Sequence, residues 1–310
     1  MKVLVTGSMG QLGNEMQVCA KLHDNHTYFF TDIMAEAPAM RLDITDAEAV
    51  KDFVLSHSVN LIVNCAAYTN VDKAEDDEKT ACLINAAAVR NLGEAAAEAG
   101  ARMIHISTDY VFAGESSEPY REDMPVDPKT AYGRTKRAGE EALLEVLPDA
   151  VIIRTAWLYS SFGQNFVKTM IRLGKEREEL GVVFDQIGTP TYAADLAAAI
   201  CVLLESKEWI PGIYHFTDEG VCSWYDFTRE IHSLYNSQEV LLAYQRGELT
   251  AAQEPAINCQ VRPILSSEYT YRTPRPHYSV LDKAKFKKTF GVEIPYWRDS
   301  LARCIALLAD

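Results

Sequence analysis

The chain has 310 residues, 48% of them hydrophobic and 24% charged, a composition that excludes disordered and fibrous proteins. Its 30 Lys and Arg against 44 Asp and Glu give a formal net charge of −14, and the basic residues are dispersed, so no nucleic-acid partner is expected. The absence of a signal-peptide pattern and of a long apolar run predicts no membrane association. Seven scattered cysteines without a C-x-x-C pair are typical of reduced thiols, which favours a cytoplasmic protein.

In the first half of the chain, short β-branched runs alternate with Ala- and Glu-rich stretches of helical period. The predicted strands are 2–6, 27–32, 61–64, 102–107 and 150–154. The predicted helices are 10–21, 46–56, 80–100 and 131–147. Strands separated by helices predict an α/β fold with a doubly wound parallel sheet.

The second half alternates less regularly. Helices are expected near 165–175, 193–205 and 223–235, and a last helix carries apolar residues of 297–308 on one face. Between them, 246–276 is rich in turn residues. We therefore expect a smaller mixed α/β domain at 161–310, from which a strand can return to the first domain at 1–160.

A glycine pattern joins the first strand to the first helix. Gly7, Gly10 and Gly13 form G-x-x-G-x-x-G, in which glycines permit a tight turn and let the backbone approach a pyrophosphate at the helix N-terminus. A plain turn would use the same residues, but the position between strand and helix favours a dinucleotide site. The first domain is thus predicted to be an NAD(P)-binding domain of the Rossmann type.

Two acidic residues follow in positions that suit the adenosine half of a dinucleotide. Asp32 ends the second strand, where a carboxylate can accept hydrogen bonds from the ribose and would repel a 2′-phosphate. It could equally be a solvated residue at a strand end, so the choice between NAD and NADP stays open. Asp43 lies in a later loop, where it could meet the amine of adenine.

The catalytic candidates are Tyr132 and Lys136, four residues apart near the start of a predicted helix and hence on one face. An ammonium beside a phenol favours the phenolate, so we expect Lys136 to lower the pKa of Tyr132. Such a pair also occurs by chance on solvated helices. Thr108 follows a predicted strand at the edge where open parallel sheets bind ligands, and its hydroxyl could hold a substrate oxygen. His105 is interpreted as a satisfied strand residue without metal-binding company.

In this order the motifs resemble the extended short-chain dehydrogenase/reductase superfamily and, within it, the dTDP-4-dehydrorhamnose reductase family. The resemblance runs from end to end of the chain. It is carried by GSMGQLG (7–13), NCAAYTNVDKAE (64–75), STDYVFAG (107–114), YGRTK (132–136), RTAWLY (154–159), DQIGTPT (185–191), GIYHFTDEGVCSWYDF (212–227) and YRTPRPHYSVLD (271–282).

The resemblance implies that dTDP-4-dehydro-β-L-rhamnose is reduced to dTDP-β-L-rhamnose by NADPH, with NADH possible. Tyr132 would then be the proton donor, Lys136 would tune it and bind the nicotinamide ribose, and Thr108 would hold the reacting oxygen. The implied cofactor contacts are Gly7, Gly10, Gln11, Leu12, Gly13, Asp32, Asp43, Ile44, Ala66, Ala67, Tyr68, Tyr132 and Lys136. The implied contacts to the nucleotide sugar are Thr69, Val71, Thr108, Asp109, Trp157 and Arg275.

Several alternatives stay open at this stage. Trp157 follows a core strand and could serve packing alone. Another nucleotide-linked 4-keto-6-deoxy sugar could be the substrate, because related reductases would share the catalytic residues. The chain could also be a non-catalytic subunit like the regulatory β subunit of methionine adenosyltransferase, although such a scaffold has no need of a tyrosine–lysine pair.

No metal site is expected. Some members of the resembled family dimerise through Mg²⁺ held by glutamates, and Glu15 matches one of those positions. Ala194 stands where we align a second, which argues against metal-dependent dimerisation. A monomer or homodimer is therefore expected, and a tyrosine acid removes the need for a Lewis acid at the carbonyl.

Overall fold

The structure is a computed structural model that describes residues 1–22, 25–35, 39–245 and 256–308. Its strands are β1 (Lys2–Thr6), β2 (Thr27–Asp32), β3 (Met40–Arg41), β4 (Leu61–Asn64), β5 (Arg102–Thr108), β6 (Val151–Thr155), β7 (Leu158–Tyr159), β8 (Glu179–Val183), β9 (Ile187–Gly188), β10 (Thr191–Tyr192), β11 (Gly212–His215), β12 (Cys222–Ser223) and β13 (Gln260–Ile264). Its α-helices are α1 (Gln11–Ala20), α2 (Ala47–Ser56), α3 (Val71–Asp76), α4 (Glu78–Cys82), α5 (Ala88–Ala99), α6 (Ala131–Val146), α7 (Phe166–Glu176), α8 (Ala193–Glu205), α9 (Trp224–Gln245), α10 (Ala284–Phe290) and α11 (Trp297–Ala306).

Seven strands form the central sheet, in the order β11-β6-β5-β4-β1-β2-β3, and every neighbouring pair is parallel. The chain leaves β1 toward one edge and returns at β4 to build the other side. The order therefore reverses between β1 and β4, and ligands of doubly wound sheets bind at the carboxyl ends of the strands at such a point. The predicted Rossmann-type α/β fold is confirmed.

Helices cover both faces of this sheet, as the near-continuous apolar strands require. One core packs α1 and α8 against the sheet around Val3, Val63 and Ile153. The other packs α2, α5 and α6 around Leu4, Ile62 and Ile152 on the opposite face. Adjacent strand residues thus point into different cores, as the two-residue period of a strand demands.

Part of the second half of the chain belongs to the first domain's layers. β11 pairs with β6 at the edge of the central sheet, and α8 packs on α1. The rest of the second half has its own core, in which α7, α9 and α11 meet around Phe227, Ile231 and Leu301. A two-stranded parallel pair, β8 with β13, lies beside it.

Two predicted helices differ from the structure. The predicted helix 80–100 is interrupted by a π-helical turn, Leu83–Ala87, and it ends where expected, at Gly100 with φ of 63°. The predicted helix 223–235 continues to Gln245. The turn-rich stretch 246–276 lies partly outside the described residues. Within the part of the chain that the structure describes, no helix is both long and apolar enough to cross a membrane.

Candidate active site

The glycine-rich loop is built by close backbone packing at the carboxyl end of β1. Gly7 has φ of 66°, and a Cβ there would lie 2.6 Å from the backbone nitrogen of Ala66. A Cβ on Gly13 would overlap the carbonyl oxygen of Gly7, so both positions exclude larger residues. Gly10 precedes α1 without a side chain that caps the helix. The first N–H groups of α1 are therefore available to an anion, which suits the pyrophosphate of a dinucleotide.

Both acidic residues predicted for the adenosine half lie near this loop. Asp32 accepts hydrogen bonds from the backbone nitrogens of Met9 at 3.1 Å and Met34 at 3.0 Å. The carboxylate is thus fixed beside the glycine-rich loop rather than free at a strand end. Asp43 accepts hydrogen bonds from the backbone nitrogen and hydroxyl of Thr45, at 2.9 and 2.7 Å.

Tyr132 lies in the first turn of α6, whose start is fixed by the Thr130 hydroxyl as it accepts the Gly133 N–H at 3.0 Å. Burial raises the pKa of Tyr132 to about 12, although a hydrogen bond with Thr108 acts in the opposite direction. The Thr108 hydroxyl in turn donates to Asp109 Oδ1 at 2.9 Å. The phenol is therefore protonated at neutral pH, and it lies in the same cavity as a threonine whose hydroxyl is bonded to Asp109.

The expectation that Lys136 lowers the pKa of Tyr132 does not fit this geometry. The ammonium is buried, and its Nζ donates to the Ile106 carbonyl at 2.6 Å and lies 3.3 Å from His105 Nε2. Burial lowers the pKa of Lys136 to about 8, against the opposing charge of Glu140. Desolvation of the phenol therefore outweighs any effect of its neighbour on α6.

A cavity of about 820 Å³ opens at the carboxyl ends of β1, β4 and β5, within the range of ligand pockets. Most of the predicted site residues line it: Gly7, Gly10, Gln11, Leu12, Asp32, Asp43, Ile44, Ala66, Ala67, Thr69, Val71, Thr108, Asp109, Tyr132, Lys136 and Trp157. Gly13 lies beneath the loop instead, where it permits the close packing. The Tyr68 backbone is held by the Asn85 side chain at 2.8 and 3.1 Å, and its ring packs among alanines.

A second cavity of about 670 Å³ shares Asp109, Tyr110 and Trp157 with the first. Arg275 lines it, and its guanidinium is paired with Asp72 at 2.8 Å. The two cavities together form a cleft in which one molecule could meet Tyr132 and extend toward Arg275.

Trp157 stands at the junction of the two cavities with φ of 49°, a left-handed conformation that is uncommon for a large residue. Its ring stacks on Trp224, with centroids 3.4 Å apart and planes at 9°. Trp157 thus packs on one face and lines both cavities, so its packing does not exclude the substrate contact that stays a prediction. Trp224 also lines the second cavity, but it was not predicted as a site residue. The segment 212–227 that contains it contributed only to the family resemblance.

Two further residues, Asn64 and Asn85, escaped the sequence reasoning, and His105 was interpreted only as a satisfied strand residue. Asn64 and His105 form a buried hydrogen-bonded chain with Lys136. Asn85 joins the Tyr68 loop to α6 through a hydrogen bond of 3.2 Å to the Thr135 hydroxyl. For Asn64 and His105, the available signal in the sequence was a polar residue inside an otherwise apolar strand.

Glu15 is buried on α1, where it accepts a hydrogen bond of 2.6 Å from the Ser160 hydroxyl. Burial raises its pKa. Among the described residues, no group of three His, Cys, Asp or Glu side chains is arranged to hold a metal ion.

A parallel doubly wound sheet, a glycine-rich loop at its switch point and a Tyr-x-x-x-Lys helix beside a strand-end hydroxyl define a short-chain dehydrogenase/reductase of the extended type. A family model for the RmlD substrate binding domain matches residues 1–309. The chain therefore belongs to the RmlD substrate binding domain family.

Relatives of known name agree over nearly the whole length. A dTDP-4-dehydrorhamnose reductase of Streptomyces griseus is 40% identical, over 98% of this chain and 93% of the relative. The crystal structure of a dTDP-4-dehydrorhamnose reductase from Clostridium acetobutylicum ATCC 824 superposes with a TM-score of 0.87 at 40% identity and covers 100% of both chains. The enzyme of Bacillus anthracis str. Ames, crystallised in complex with NADP, gives a TM-score of 0.85 at 37% identity over 98% of both chains.

Proposed function

We propose that this protein reduces the C4 keto group of dTDP-4-dehydro-β-L-rhamnose to give dTDP-β-L-rhamnose, the last step of dTDP-rhamnose biosynthesis. The observation that carries the proposal is that the protonated Tyr132 phenol and the Thr108 hydroxyl line the same cavity as the glycine-rich loop. A carbonyl that gains a hydride on carbon needs a proton on oxygen, and a phenol that stays protonated at neutral pH can supply it.

The glycine-rich loop and the open N-terminus of α1 fit a dinucleotide, and we propose NADPH, with NADH as the alternative. When bound, the cofactor supplies the hydride. Gly7, Gly10, Gln11 and Leu12 would hold the pyrophosphate. The remaining proposed contacts of the cofactor are Gly13 through the shape of the loop, Asp32, Asp43, Ile44, Ala66, Ala67, Tyr68, Tyr132 and Lys136.

Three residues would act on the reacting carbonyl. Thr108 would hold the substrate oxygen at the position where Tyr132 donates its proton. Lys136 would bind the cofactor ribose, with its Nζ held by the Ile106 carbonyl. Orientation of this kind removes much of the entropic barrier to reaction.

The sugar nucleotide would occupy the cleft formed by the two cavities. Thr69, Val71 and Asp109 line the part near Tyr132, where the sugar would lie. Trp157, held flat by Trp224, offers a surface on which a sugar ring can pack. Arg275 would meet the diphosphate, in competition with the Asp72 carboxylate that it contacts now. The charge of Asp72 would thus have to be displaced or screened.

The proposed division of labour follows the two halves of the chain. Residues 1–160, joined by α8 and β11, would bind the cofactor, and the rest of 161–310 would bind most of the substrate. One chain contains every proposed site residue, so we propose a monomer or homodimer. The seven cysteines are all free, which fits a reducing compartment, and we propose the cytoplasm.

The test is the loss of reduced-nicotinamide absorbance when dTDP-4-dehydro-L-rhamnose, generated in situ, is added with NADPH or with NADH. Consumption with formation of dTDP-L-rhamnose, identified by NMR, is the expected result. Formation of a different sugar would instead assign the chain to a related 4-keto-6-deoxy sugar. Binding of the cofactor without any consumption would refute the reductase proposal and favour a regulatory subunit.

A further inference from the structure

A chain of buried polar side chains runs beneath the active-site cavity, from β1 through β4 and β5 to α6. The Thr6 hydroxyl lies 2.7 Å from Asn64 Oδ1, and Asn64 Nδ2 lies 3.0 Å from His105 Nδ1. His105 Nε2 lies 3.3 Å from Lys136 Nζ. All four side chains are at most 1% exposed. In such surroundings each hydrogen bond needs a donor and an acceptor, so the direction of the chain can be worked out.

The direction is set by a backbone group. The N–H of Ala66 donates to Asn64 Oδ1 at 3.1 Å, and a backbone N–H can only donate. This fixes the oxygen of the Asn64 amide, so its NH2 group faces His105. An amide NH2 can only donate, and His105 Nδ1 must therefore be the acceptor.

The proton of a neutral His105 ring is then on Nε2. The ring is neutral because it is completely buried and adjoins Lys136, which together hold its pKa well below the usual value. The Nε2–H consequently points toward Lys136 Nζ. If Lys136 is an ammonium, which has only donors, its N–H and the Nε2–H of His105 would face each other. If Lys136 is a neutral amine, its lone pair can accept the Nε2–H of His105.

We propose that His105 is a positioning residue for Lys136: its Nε2–H, oriented by Asn64, fixes the place of Nζ and opposes the ammonium form of that side chain. The carbonyl of Ile106 accepts from Nζ at 2.6 Å and holds it from the other side. In a neutral amine both contacts are satisfied at once, because Nζ donates to Ile106 and accepts from His105.

Other charges around Lys136 do not reverse this effect. Glu140 lies one turn further along α6 and favours the ammonium, but Arg154 on β6 engages its carboxylate at 2.7 and 2.8 Å. On the cavity side, Tyr132 stays protonated, and burial raises the pKa of Asp109 to about 7. Burial lowers the pKa of Lys136 to about 8, in the same direction as the His105 contact.

The consequence for turnover rests on the proposed function. Because its pKa is about 8, Lys136 gains or loses a proton slightly above neutral pH. The charge that this side chain carries in the active site therefore varies with pH. We expect the alkaline limb of the kcat/KM profile to follow the titration of Lys136. A change at His105 should therefore move that limb, although His105 lies beneath the cavity rather than in it.

The first test is made on the wild-type protein and needs no turnover; a variant serves only to assign the signal. NMR of the histidine rings of the wild-type protein, labelled with ¹⁵N and assigned to His105 by its loss in His105→Gln, reports which ring nitrogen carries the proton. The expected result is a neutral ring with the proton on Nε2. A ring with the proton on Nδ1, or a charged ring at neutral pH, would overturn the proposal.

The second test follows Lys136 itself through its ¹³Cε signal as pH is raised. The midpoint should lie below the ordinary lysine value of about 10.4 and should rise by about one unit in His105→Gln, whose amide oxygen can accept from the ammonium. His215→Gln is the matched control, because His215 is equally buried on β11 and bonds only to backbone at Tyr120 O, 3.0 Å away.

An unchanged Lys136 midpoint in His105→Gln, or an equal shift in both variants, would refute the proposal. If His105→Gln does not fold, the NMR signal of His105 is assigned instead by the change that Asn64→Asp causes in it, because Asn64 contacts His105 Nδ1. The tautomer of His105 in the wild-type protein is then the deciding measurement. Failure to reduce the keto sugar would remove the proposed function while these NMR results still decide the role of His105.

Discussion

Tyr132→Phe removes one oxygen atom from the site and keeps the ring that packs edge-on to Tyr110 at 5.4 Å. The lost phenol is the proposed proton donor, while the Thr108 hydroxyl keeps its hydrogen bond to Asp109. One hydrogen bond contributes about 1 kcal/mol to stability, so the variant should stay folded. Any large effect must therefore lie in the chemical step.

The size of that effect follows from the role of the phenol. A positioned general acid contributes about 10²- to 10⁴-fold to rate, which corresponds to about 2.7–5.4 kcal/mol of transition-state stabilisation. We expect kcat to fall by that factor, because water would have to replace a donor that the fold holds in place. Apart from the phenol itself, the proposed cofactor contacts are left intact, so the dissociation constant of the cofactor should change by only a few-fold, on the order of one lost hydrogen bond.

The assay is NADPH consumption under saturating keto sugar, with cofactor affinity measured separately by fluorescence titration. Tyr214→Phe is the control, since it removes a phenol that donates to the Ile210 carbonyl at 3.0 Å, away from both cavities. It should keep wild-type kcat. Turnover by Tyr132→Phe within about tenfold of wild type would show that another group protonates the substrate.

Three further changes test other parts of the site. Asp32→Ala should raise the NADPH-to-NADH ratio of kcat/KM by about tenfold or more, since it removes a charge that repels a 2′-phosphate, and an unchanged ratio would remove Asp32 from the ribose site. Burial raises the pKa of Asp109 to about 7, so the stability that its protonated form contributes is lost as pH rises from about 4 to 7. The difference in Tm between Asp109→Asn and wild type should therefore shift in favour of the variant as pH rises across this range. A difference that stays constant would contradict the raised pKa of Asp109. Arg154→Met should lower the free energy of unfolding in urea by about 3 kcal/mol, because the buried Glu140 carboxylate then keeps only the partly exposed Arg137 at 3.0 Å, and adding Glu140→Gln should restore most of it. A double variant no more stable than the single one would argue against that cause.

The first domain could be predicted closely from sequence because its signals are local. The strands Lys2–Thr6, Thr27–Asp32 and Leu61–Asn64 match their predicted bounds. Each is a short apolar run flanked by turn residues, and β-strands buried on both faces leave that pattern. The glycine-rich loop is equally local, since its function requires glycines at fixed spacing.

The second half was harder because its elements depend on distant partners. β11 (Gly212–His215) is four residues long, and it becomes a strand by pairing with β6. β8 and β13 pair across a long stretch of chain, although neither carries a strong strand pattern. The π-helical turn of Leu83–Ala87 likewise contains Asn85, whose side chain bonds to the distant Tyr68 backbone. Tertiary contacts of this kind leave little trace in local sequence.

For the site, residue types were easier to predict than their electrostatics. The spacing of Tyr132 and Lys136 placed both on one face of α6, yet it suggested the wrong direction for the pKa of the tyrosine. That direction depends on burial and on where Nζ lies, beneath the cavity beside His105. Neither follows from spacing along a helix.

The central claim is that a hydride reaches C4 of a dTDP-linked keto sugar in this cleft. It is tested most directly with two NADPH samples, each carrying deuterium on a different face of C4 of the nicotinamide. The sugar product from each sample is then examined by NMR. The account predicts dTDP-L-rhamnose with deuterium at C4 of the sugar from one of the two labelled cofactors. A product without deuterium at C4 from either, or no product with either, would contradict it.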